Sequence, residues 1–345
     1  MATVKLNDGT VVGDYLRPYF IAEVNSSHNG NLETAKAMIS MAKETGADCV
    51  KFQSWSAESL YSKNYYDANP ISKRIVSKFA FSEEQFLEII DFCNKIGIAF
   101  ASTPYSEKEV DFLLEKGNVP FVKIASMDIN NYPFLEYIAK KDTAIILSTG
   151  MSSYEEVAKA VSVIKSTGNK RLVLLHCISV YPVDYADVNL NNVLALRNSY
   201  QDYPIGFSDH SLGYEIPCAA VAFGSCVIEK HFTLDKSKIG MDNQMATEPD
   251  EFKKMIDACR NVAVALGSQE RTISAKEQEM LMKMRRSVVA KRDLTAGTIL
   301  RISDFDYKRP ADGIAPSDVG MLVGKRINKD VKADYLIRKE DIELS

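Results

Sequence analysis

Short runs of β-branched and other apolar residues alternate with longer amphipathic stretches between residue 17 and about residue 266. Each short run is bounded by turn residues, which is typical of strands that are buried on both faces of a parallel sheet. Eight strands are predicted, at residues 19–24, 49–53, 99–103, 121–126, 144–149, 172–177, 205–210 and 226–232.

The stretches between these runs carry apolar residues at helical spacing. One set is Phe86, Ile89, Ile90 and Cys93, which follows the i, i+3, i+4, i+7 spacing of a buried helix face. Capping boxes mark three of the helix starts independently, as Ser82 with Gln85, Ser106 with Glu109 and Ser153 with Glu156. Eight strand–helix units in about 250 residues predict an α/β fold of the (β/α)8 TIM barrel type.

A doubly wound open sheet is the competing architecture. That fold usually carries a glycine-rich phosphate-binding turn directly after its first strand. Residues 26–30, which follow the first predicted strand, read Ser-Ser-His-Asn-Gly and do not match such a turn. The sequence therefore favours the barrel.

Both ends of the chain add smaller elements to the barrel. Asn7-Asp8-Gly9 lies between two apolar runs and predicts an N-terminal hairpin. A polar stretch at residues 268–285 is interpreted as a linker, and the chain beyond Ser287 shows short strand-like pieces between turn residues. We therefore predict a barrel domain at residues 1–282 and a small β-rich domain at residues 283–345.

Composition and charge exclude several classes of function. The net charge of −4 comes from well mixed signs, and the basic cluster at residues 283–286 lacks the aromatic residues of a nucleic-acid groove. No apolar run is long enough to cross a bilayer, and residues 1–12 show no signal-peptide core. The six cysteines are scattered without a disulfide or CxxC pattern. We expect a cytoplasmic protein without membrane or nucleic-acid partners.

The predicted strands end in polar residues, where barrel enzymes place their catalytic groups. All four histidines, His28, His176, His210 and His231, fall at or just beyond a strand end. His210 and His231 follow neighbouring strands, so their imidazoles are candidates for sharing a divalent metal ion. Hydrogen bonds within the barrel would explain the same pair, and they are the favoured explanation for His28 and His176.

Two lysines, Lys51 and Lys123, lie within otherwise apolar strands. Burial of an unpaired ammonium is costly, so each needs an anionic partner. The partner is either a ligand phosphate or carboxylate, or an internal carboxylate such as Glu23 or Glu229. Neutral donors to a ligand anion would come from the hydroxyls of Ser126, Ser148 and Ser208.

Eight short motifs follow one another along the chain. They are Ile21-Ala22-Glu23 with His28-Asn29-Gly30, Val50-Lys51-Phe52-Gln53, Ser102-Thr103-Pro104, Lys123-Ile124-Ala125-Ser126, Leu147-Ser148-Thr149-Gly150-Met151, Leu175-His176-Cys177 with Tyr181-Pro182, Gly206-Phe207-Ser208-Asp209-His210, and Ile228-Glu229-Lys230-His231-Phe232-Thr233. In this order they resemble the sialic acid synthase family, which includes neuraminate, legionaminate and pseudaminate synthases. The C-terminal segment, with Ser287-Val288-Val289-Ala290 and Lys308-Arg309-Pro310, resembles the antifreeze-like (SAF) domain of that family.

The resemblance implies a phosphoenolpyruvate-dependent transferase that forms a C–C bond. Such an enzyme is similar to N-acetylneuraminate synthase and serves the biosynthesis of cell-surface carbohydrate. It would condense phosphoenolpyruvate with N-acetylmannosamine or a related amino-hexose and release phosphate by metal-assisted C–O cleavage.

The resemblance also implies a role for each matching residue. The catalytic residues would be Glu23, His210 and His231. His210 and His231 would also bind a divalent metal, Mn²⁺ first, with Mg²⁺ or Co²⁺ as alternatives. Phosphoenolpyruvate would be bound by Lys51, Lys123, Ser126, Ser148, Ser179 and Ser208. The sugar would be contacted by Tyr181, Asp242 and Arg309, the last of them reaching the site from an exchanged C-terminal domain in a homodimer.

Three positions depart from the family pattern, namely Ser179, Asp128 and Met241. They leave the exact sugar open. The polar segment at residues 62–78 is expected to be a loop. The alternative activities are another phosphoenolpyruvate-dependent synthase of 3-deoxy sugar acids and a Schiff-base pyruvate aldolase using Lys51 or Lys123. Outside enzymes, a sugar-binding or ice-binding module with an inactive barrel is the alternative.

Overall fold

Eight parallel strands form one sheet in the computed structural model, which describes residues 1–238 and 240–343. The strands in chain order are β1 Thr3–Lys5, β2 Val11–Gly13, β3 Tyr19–Glu23, β4 Cys49–Ser54, β5 Ala99–Pro104, β6 Val122–Ile124, β7 Ile145–Ser148, β8 Leu172–Cys177, β9 Ile205–Asp209, β10 Val227–His231, β11 Ser287–Ala290 and β12 Phe305–Lys308. Strands β3 to β10 pair in the order β5-β4-β3-β10-β9-β8-β7-β6, and β5 contacts β6 at the seam of the ring. The predicted (β/α)8 barrel is confirmed.

Helices alternate with the strands along the chain. They are α1 Leu32–Thr45, α2 Ala57–Leu60, α3 Lys63–Ala68, α4 Pro70–Phe79, α5 Glu83–Ile96, α6 Glu107–Glu115, α7 Tyr132–Lys140, α8 Tyr154–Ser166, α9 Asn191–Ser199, α10 Glu215–Ala222, α11 Pro249–Leu266 and α12 Ala275–Met284. The capping boxes at Ser82 and Ser153 are complete. At Ser106 the hydroxyl caps α6, but the Glu109 carboxylate instead accepts the Tyr105 backbone N–H at 2.7 Å.

The segment at residues 62–78 is helical, so the prediction of a loop there was wrong. Ser62 caps α3, and Pro70 occupies the first turn of α4, where its missing N–H costs no hydrogen bond. Each helix buries one side chain, Tyr66 in α3 and Val76 in α4. Apolar residues do recur every fourth position in α4, at residues 71, 75 and 79, so the sequence carried a helical signal there that the prediction did not use.

The N-terminal hairpin closes one end of the barrel. Strands β1 and β2 pair antiparallel, and Val4, Leu6 and Val12 pack in one buried cluster with interior residues such as Phe121. The side chain of Asn7 donates to the Val119 carbonyl at 3.0 Å and to the Thr143 hydroxyl at 2.8 Å. The functional groups must therefore be sought at the opposite end, where the strands finish.

The chain divides into two units, Met1–Gly267 and Ser268–Ser345. The second unit contains α12, which lies within the predicted linker, and the antiparallel pair β11–β12. Its own core is built from small β elements and includes Val288, Leu300 and Ile337. Residues 344 and 345, the end of the predicted C-terminal domain, lie outside the described residues. Within the described part of the chain, no helix combines the length and apolar character that crossing a membrane requires.

Candidate active site

One cavity of about 340 Å³ collects polar residues from the C-terminal ends of all the barrel strands. It is lined by every site residue that the sequence predicted in the first unit, namely Glu23, Lys51, Lys123, Ser126, Ser148, Ser179, Tyr181, Ser208, His210, His231 and Asp242. Arg309, the remaining predicted residue, lies in the second unit just after β12 and is exposed.

Lys51 and Glu23 form a buried ion pair on the neighbouring strands β4 and β3. The Lys51 ammonium also donates to the Thr103 hydroxyl at 3.2 Å and lies 3.7 Å from Glu229 Oε2. Burial lowers the pKa of Lys51 to about 8, and the charge of Lys123 acts in the same direction against the pull of Glu229. Glu23 and Glu229, the internal carboxylates that the sequence offered as partners of the lysines in place of a ligand anion, are therefore present beside Lys51.

Glu229 lies between the two lysines. Its Oε1 atom is 3.7 Å from the Lys123 ammonium and accepts a hydrogen bond from the Ser208 hydroxyl at 3.0 Å. Burial opposes ionisation of this carboxylate, but Lys123 and Lys51 together hold its pKa below the usual value. Lys123 itself donates to the Ser148 hydroxyl at 2.7 Å. The cavity floor is a buried network of charges and hydroxyls.

The turn after β7 lies against two more hydroxyls of this floor, those of Ser126 and Ser179. The Gly150 N–H donates to the Ser126 hydroxyl at 3.0 Å. A Cβ atom at Gly150 would overlap the Ser179 hydroxyl and would lie 2.7 Å from that of Ser126. Glycine is needed here because the backbone approaches both serines closely.

His210 and His231 face each other across the cavity wall, with ring centroids 5.3 Å apart. His210 Nδ1 lies 2.6 Å from the Ile178 carbonyl, so Nδ1 carries the proton and Nε2 is left as a donor for a metal. Burial holds the pKa of His231 well below its usual value, whereas Cys177 and the Ile178 carbonyl outweigh burial and raise the pKa of His210. A neutral imidazole is the form that binds metals.

The two imidazoles offer a partial metal site. Among residues 1–238 and 240–343, no group of three or more His, Cys, Asp or Glu side chains is arranged to hold a metal ion. Catalytic metal sites keep positions open for water and substrate, so two protein nitrogens are compatible with such a site. Tyr181 packs beside both histidines, with its ring centroid 4.2 Å from that of His210 and 5.7 Å from that of His231.

A second buried ion pair lies directly behind the histidines. Asp209 and Lys230 are paired across β9 and β10, each one residue before a histidine. Lys230 also donates to the Ser211 carbonyl at 2.6 Å, and Asp209 Oδ1 accepts from the Ser211 N–H at 2.9 Å and from its hydroxyl at 2.7 Å. Neighbouring residues of a strand point to opposite faces, so the pair lies on the side away from the imidazoles. The ion pair links β9, which His210 follows, to β10, which ends in His231.

Several residues of the cavity wall were not predicted from the sequence. They are Asn25, Trp55, Leu60, Tyr61, Tyr105, Met127 and Cys177. Asn25 has a left-handed φ of 43°, its backbone N–H donates to Glu23 Oε1 at 2.9 Å, and its amide donates to the Asp242 carboxylate. Tyr105 immediately follows the Ser102-Thr103-Pro104 motif, which was the available signal. Cys177 ends β8 within the quoted Leu175-His176-Cys177 motif, which was likewise a signal. Leu60 ends the short helix α2 and Met127 lies in the 3-10 turn after β6, while Trp55 and Tyr61 lie in loops.

Comparisons with known proteins agree over both parts of the chain. A model of the NeuB family matches residues 38–271, and a model of the SAF domain matches residues 285–343. The N,N'-diacetyllegionaminic acid synthase of Legionella pneumophila is 38% identical over 352 residues, which cover 98% of this chain and 98% of the relative. The N-acetylneuraminate-9-phosphate synthase of Homo sapiens is 36% identical over 349 residues, covering 99% and 97%. The crystal structure of an N-acetylneuraminic acid synthetase from Leptospira borgpetersenii, solved with citrate, aligns with a TM-score of 0.74 at 34% identity, covering 81% of this chain and 96% of that one.

Proposed function

The chain belongs to the NeuB family, and we propose that it condenses phosphoenolpyruvate with an N-acetylmannosamine-type amino-hexose to make a nonulosonic acid. The observation that carries this proposal is the pair of buried ammonium groups, Lys51 and Lys123, at the floor of a hydroxyl-lined cavity. Phosphoenolpyruvate carries a phosphate and a carboxylate on the same carbon, C2, and the two lysines match that pair of anions. Sialic-type acid synthases are also among the chain's relatives by name.

The proposed reaction balances with water as the third reactant. C3 of phosphoenolpyruvate bonds to the aldehyde carbon of the open-chain sugar, and the aldehyde oxygen gains a proton. Water adds at C2, the bond from C2 to the bridging oxygen breaks, and that oxygen leaves with phosphate. The products are a 2-keto-3-deoxy sugar acid and inorganic phosphate.

The floor residues divide the work in this proposal. Lys51 and Lys123, helped by the hydroxyls of Ser126, Ser148, Ser179 and Ser208, hold the anionic groups and stabilise the charge on the departing phosphate. The Lys123 ammonium lies 3.7 Å from Glu229, so a ligand oxygen competes there with a long ion pair. At Lys51 it also competes with the close ion pair to Glu23. Glu23 accepts the proton of the water that adds at C2.

A divalent ion on His210 and His231 belongs to the same proposal. Mn²⁺ is the first candidate, with Mg²⁺ and Co²⁺ as alternatives. The cavity lining contains two lysines and the three carboxylates of Glu23, Glu229 and Asp242. Because the lysines do not exceed the carboxylates, a divalent cation would offset the charge of an anionic substrate. Such an ion supplies Lewis-acid polarisation of the sugar aldehyde.

We further propose a homodimer with exchanged C-terminal domains, in which Arg309 of the partner subunit completes the sugar site together with Tyr181 and Asp242. Mixing an Arg309→Ala variant with a His231→Ala variant tests this arrangement. If subunits exchange, one site of each mixed dimer regains both residues, so activity should reappear. An inactive mixture whose exchange is verified by mass would contradict it.

Because phosphoenolpyruvate is an intermediate of central metabolism, we propose that the activity is cytoplasmic.

Phosphate release tests the function. The full chain is incubated with phosphoenolpyruvate, Mn²⁺ and a panel of aldoses, with EDTA and His231→Ala as controls. We expect release that depends on one class of aldose and is abolished by both controls. Phosphoenolpyruvate labelled with ¹⁸O at the bridging position should deliver its label to phosphate. Label retained in the keto acid would refute C–O cleavage, and no release with Mn²⁺, Mg²⁺ or Co²⁺ would refute the function.

A Schiff-base aldolase is the second candidate, favoured by the lowered pKa of Lys51, because a neutral amine is the form that attacks a carbonyl. The two histidines have no role in that chemistry. Borohydride treatment with pyruvate separates the candidates. A covalent adduct on Lys51 would support the aldolase, and a full-length chain of unchanged mass would exclude it.

A further inference from the structure

We infer that Asn25 is a positioning residue, which holds the Asp242 carboxylate in the orientation in which it meets the sugar. The inference rests on the proposed function, in which Asp242 contacts the sugar, and it gives a role to a residue that the proposed reaction does not use. It follows from three observations, namely the backbone conformation of Asn25, the contact of its side chain, and the separate anchoring of the segment that carries Asp242.

The backbone of Asn25 is tied to the carboxylate of Glu23. Asn25 lies two residues beyond Glu23, the last residue of β3, and its φ of 43° lies in the left-handed region. Its N–H donates to Glu23 Oε1 at 2.9 Å, while Glu23 Oε2 faces the Lys51 ammonium. Asparagine tolerates this conformation better than most residues, but glycine adopts it without steric cost. The backbone alone therefore gives no reason for a side chain at this position.

The turn that carries Asn25 is packed against a buried ring. His28, three residues on, is 3% exposed and stacks on Phe81 with ring centroids 4.2 Å apart. Its Nδ1 atom accepts the Gly30 N–H at 3.0 Å. Asn25 is thus presented by a turn that is itself held by packing and hydrogen bonds, which a positioning role requires.

The side chain of Asn25 is directed to Asp242. Asn25 is 3% exposed, and its amide NH₂ group donates to Asp242 Oδ2. The amide oxygen, Oδ1, is buried and has no hydrogen-bond partner among residues 1–238 and 240–343. The opposite orientation of the amide would set this oxygen against the carboxylate, so Asp242 determines which way the amide points. An unpaired buried acceptor is unfavourable, and the contact with Asp242 is the interaction that offsets it.

Asp242 gains a fixed orientation from this donor. It is half-buried in the cavity wall, where burial raises its pKa, while the charge of His210 and the Asn25 amide act in the opposite direction. A carboxylate can turn about the bond that joins it to the side chain, so a donor on one oxygen decides where the other one points. With Oδ2 held by Asn25, Oδ1 is the oxygen assigned to a sugar hydroxyl or amide N–H.

The segment around Asp242 has an anchor of its own. The neighbouring Asn243 is 2% exposed, and its amide donates to the Asp235 carbonyl at 2.8 Å and to the Lys238 carbonyl at 2.7 Å. These bonds involve neither Asn25 nor the Asp242 side chain. Loss of the Asn25 side chain should therefore free the Asp242 carboxylate without unfolding the segment.

Asn25→Gly tests the inference, because it removes the amide and keeps the backbone N–H beside Glu23. Phosphate release is measured with the full chain and Mn²⁺, using whichever of N-acetylmannosamine and a 2,4-diacetamido-trideoxyhexose the wild type turns over faster. We expect the KM for the aldose to rise about 10-fold or more, since a misplaced binding group has effects of that size. We expect kcat and the KM for phosphoenolpyruvate to stay within about 3-fold of the wild type, because glycine keeps the backbone conformation.

Asn118→Gly is the matched control. Asn118 also has a left-handed φ, 46°, but it is exposed in the loop between α6 and β6, at the other end of the barrel. This variant should leave kcat and both KM values unchanged.

Two further variants separate positioning from packing. Asn25→Asp keeps the size and shape of the side chain but sets a second carboxylate against Asp242, so the KM for the aldose should rise at least as far as in Asn25→Gly. In an Asp242→Ala background, Asn25→Gly should have no further effect on that KM, because a positioning residue acts only through the group that it positions.

The outcomes distinguish this inference from the proposed function. A wild-type KM for the aldose in either Asn25 variant would overturn the inference and leave the proposed function intact. The same conclusion would follow if the effects of Asn25→Gly and Asp242→Ala simply multiplied, or if the KM for phosphoenolpyruvate rose as far as that for the aldose. Absence of phosphate release by the wild type with both aldoses would overturn the proposed function and the inference together.

Discussion

Removal of the positive charge of Lys230 is expected to destabilise the barrel and to weaken the proposed metal site at the same time. Lys230 is 3% exposed, and its partner Asp209 is completely buried. Loss of one member of a buried ion pair costs about 3–5 kcal/mol, because the other charge is left uncompensated. In Lys230→Met, Asp209 keeps its two hydrogen bonds from Ser211. We therefore expect the lower end of that range, about 3 kcal/mol.

The double variant Asp209→Asn/Lys230→Met separates the charge from the packing. Neither residue then leaves an unpaired charge, so the double variant should be less destabilised than the sum of the two single variants. The Mn²⁺ affinity of Lys230→Met should fall about 10-fold, because groups that support metal ligands typically contribute 10-fold to 100-fold in affinity. Asp209 and Lys230 do so by fixing the strands on which His210 and His231 stand.

The assay uses the single tryptophan of the chain. Trp55 lies in the first unit and in the cavity wall, so its fluorescence during urea denaturation reports the unfolding of the barrel. Mn²⁺ affinity is measured separately by electron paramagnetic resonance. The control variant Lys253→Met breaks an exposed pair with Asp257 and should cost less than about 0.5 kcal/mol. A Lys230→Met protein with wild-type stability and wild-type Mn²⁺ affinity would refute the reasoning.

Three further predictions concern the cavity itself. His231→Ala should weaken Mn²⁺ binding by more than about 100-fold in the same resonance titration, and unchanged binding would remove His231 from the metal site. Because the Lys51 pKa is about 8, its ammonium loses the proton as pH rises, so the KM for phosphoenolpyruvate should be flat below pH 8 and increase above it. Lys51→Arg should abolish that increase, since a guanidinium stays protonated, and a wild-type KM flat well above pH 8 would contradict the assignment. Gly150→Ala should raise the KM for phosphoenolpyruvate about 10-fold to 100-fold by displacing the Ser126 and Ser179 hydroxyls, whereas an unchanged KM would show that neither hydroxyl touches this substrate.

The barrel was predictable because its strands are short, buried and separated by clear turns. Strand β8 coincides with the predicted residues 172–177. Strand β6 is shorter than the predicted 121–126, because Ser126 begins a 3-10 turn that directs its hydroxyl into the cavity. Helix α3 is short and buries a single side chain, so it offers no repeating apolar face. Helix α4 was missed although Ile71, Ile75 and Phe79 recur every four residues, because the polar residues between them were interpreted as a loop.

The residues of the site were predictable, but the contacts between them were not. Polar strand ends identified the residues, since a barrel brings them to one face. The position of Glu229 between Lys51 and Lys123 depends on the register of three strands that are far apart in the chain. The contact of Asn25 with Asp242 joins residues 217 positions apart. No local pattern encodes such pairs, because they are set by closure of the ring.

The hairpin fills the N-terminal end of the barrel, opposite the strand ends that line the cavity. Val4, Leu6 and Val12 pack at the N-terminal end, and Lys51 and Lys123 are buried in the floor of the cavity. If Lys51 and Lys123 hold phosphoenolpyruvate as proposed, we expect this substrate to bind before the sugar that covers it. Phosphate formed at the floor by the proposed reaction would then leave after the sugar acid above it. The closed end of the barrel would thus impose an ordered kinetic mechanism, in which phosphoenolpyruvate binds first and phosphate leaves last.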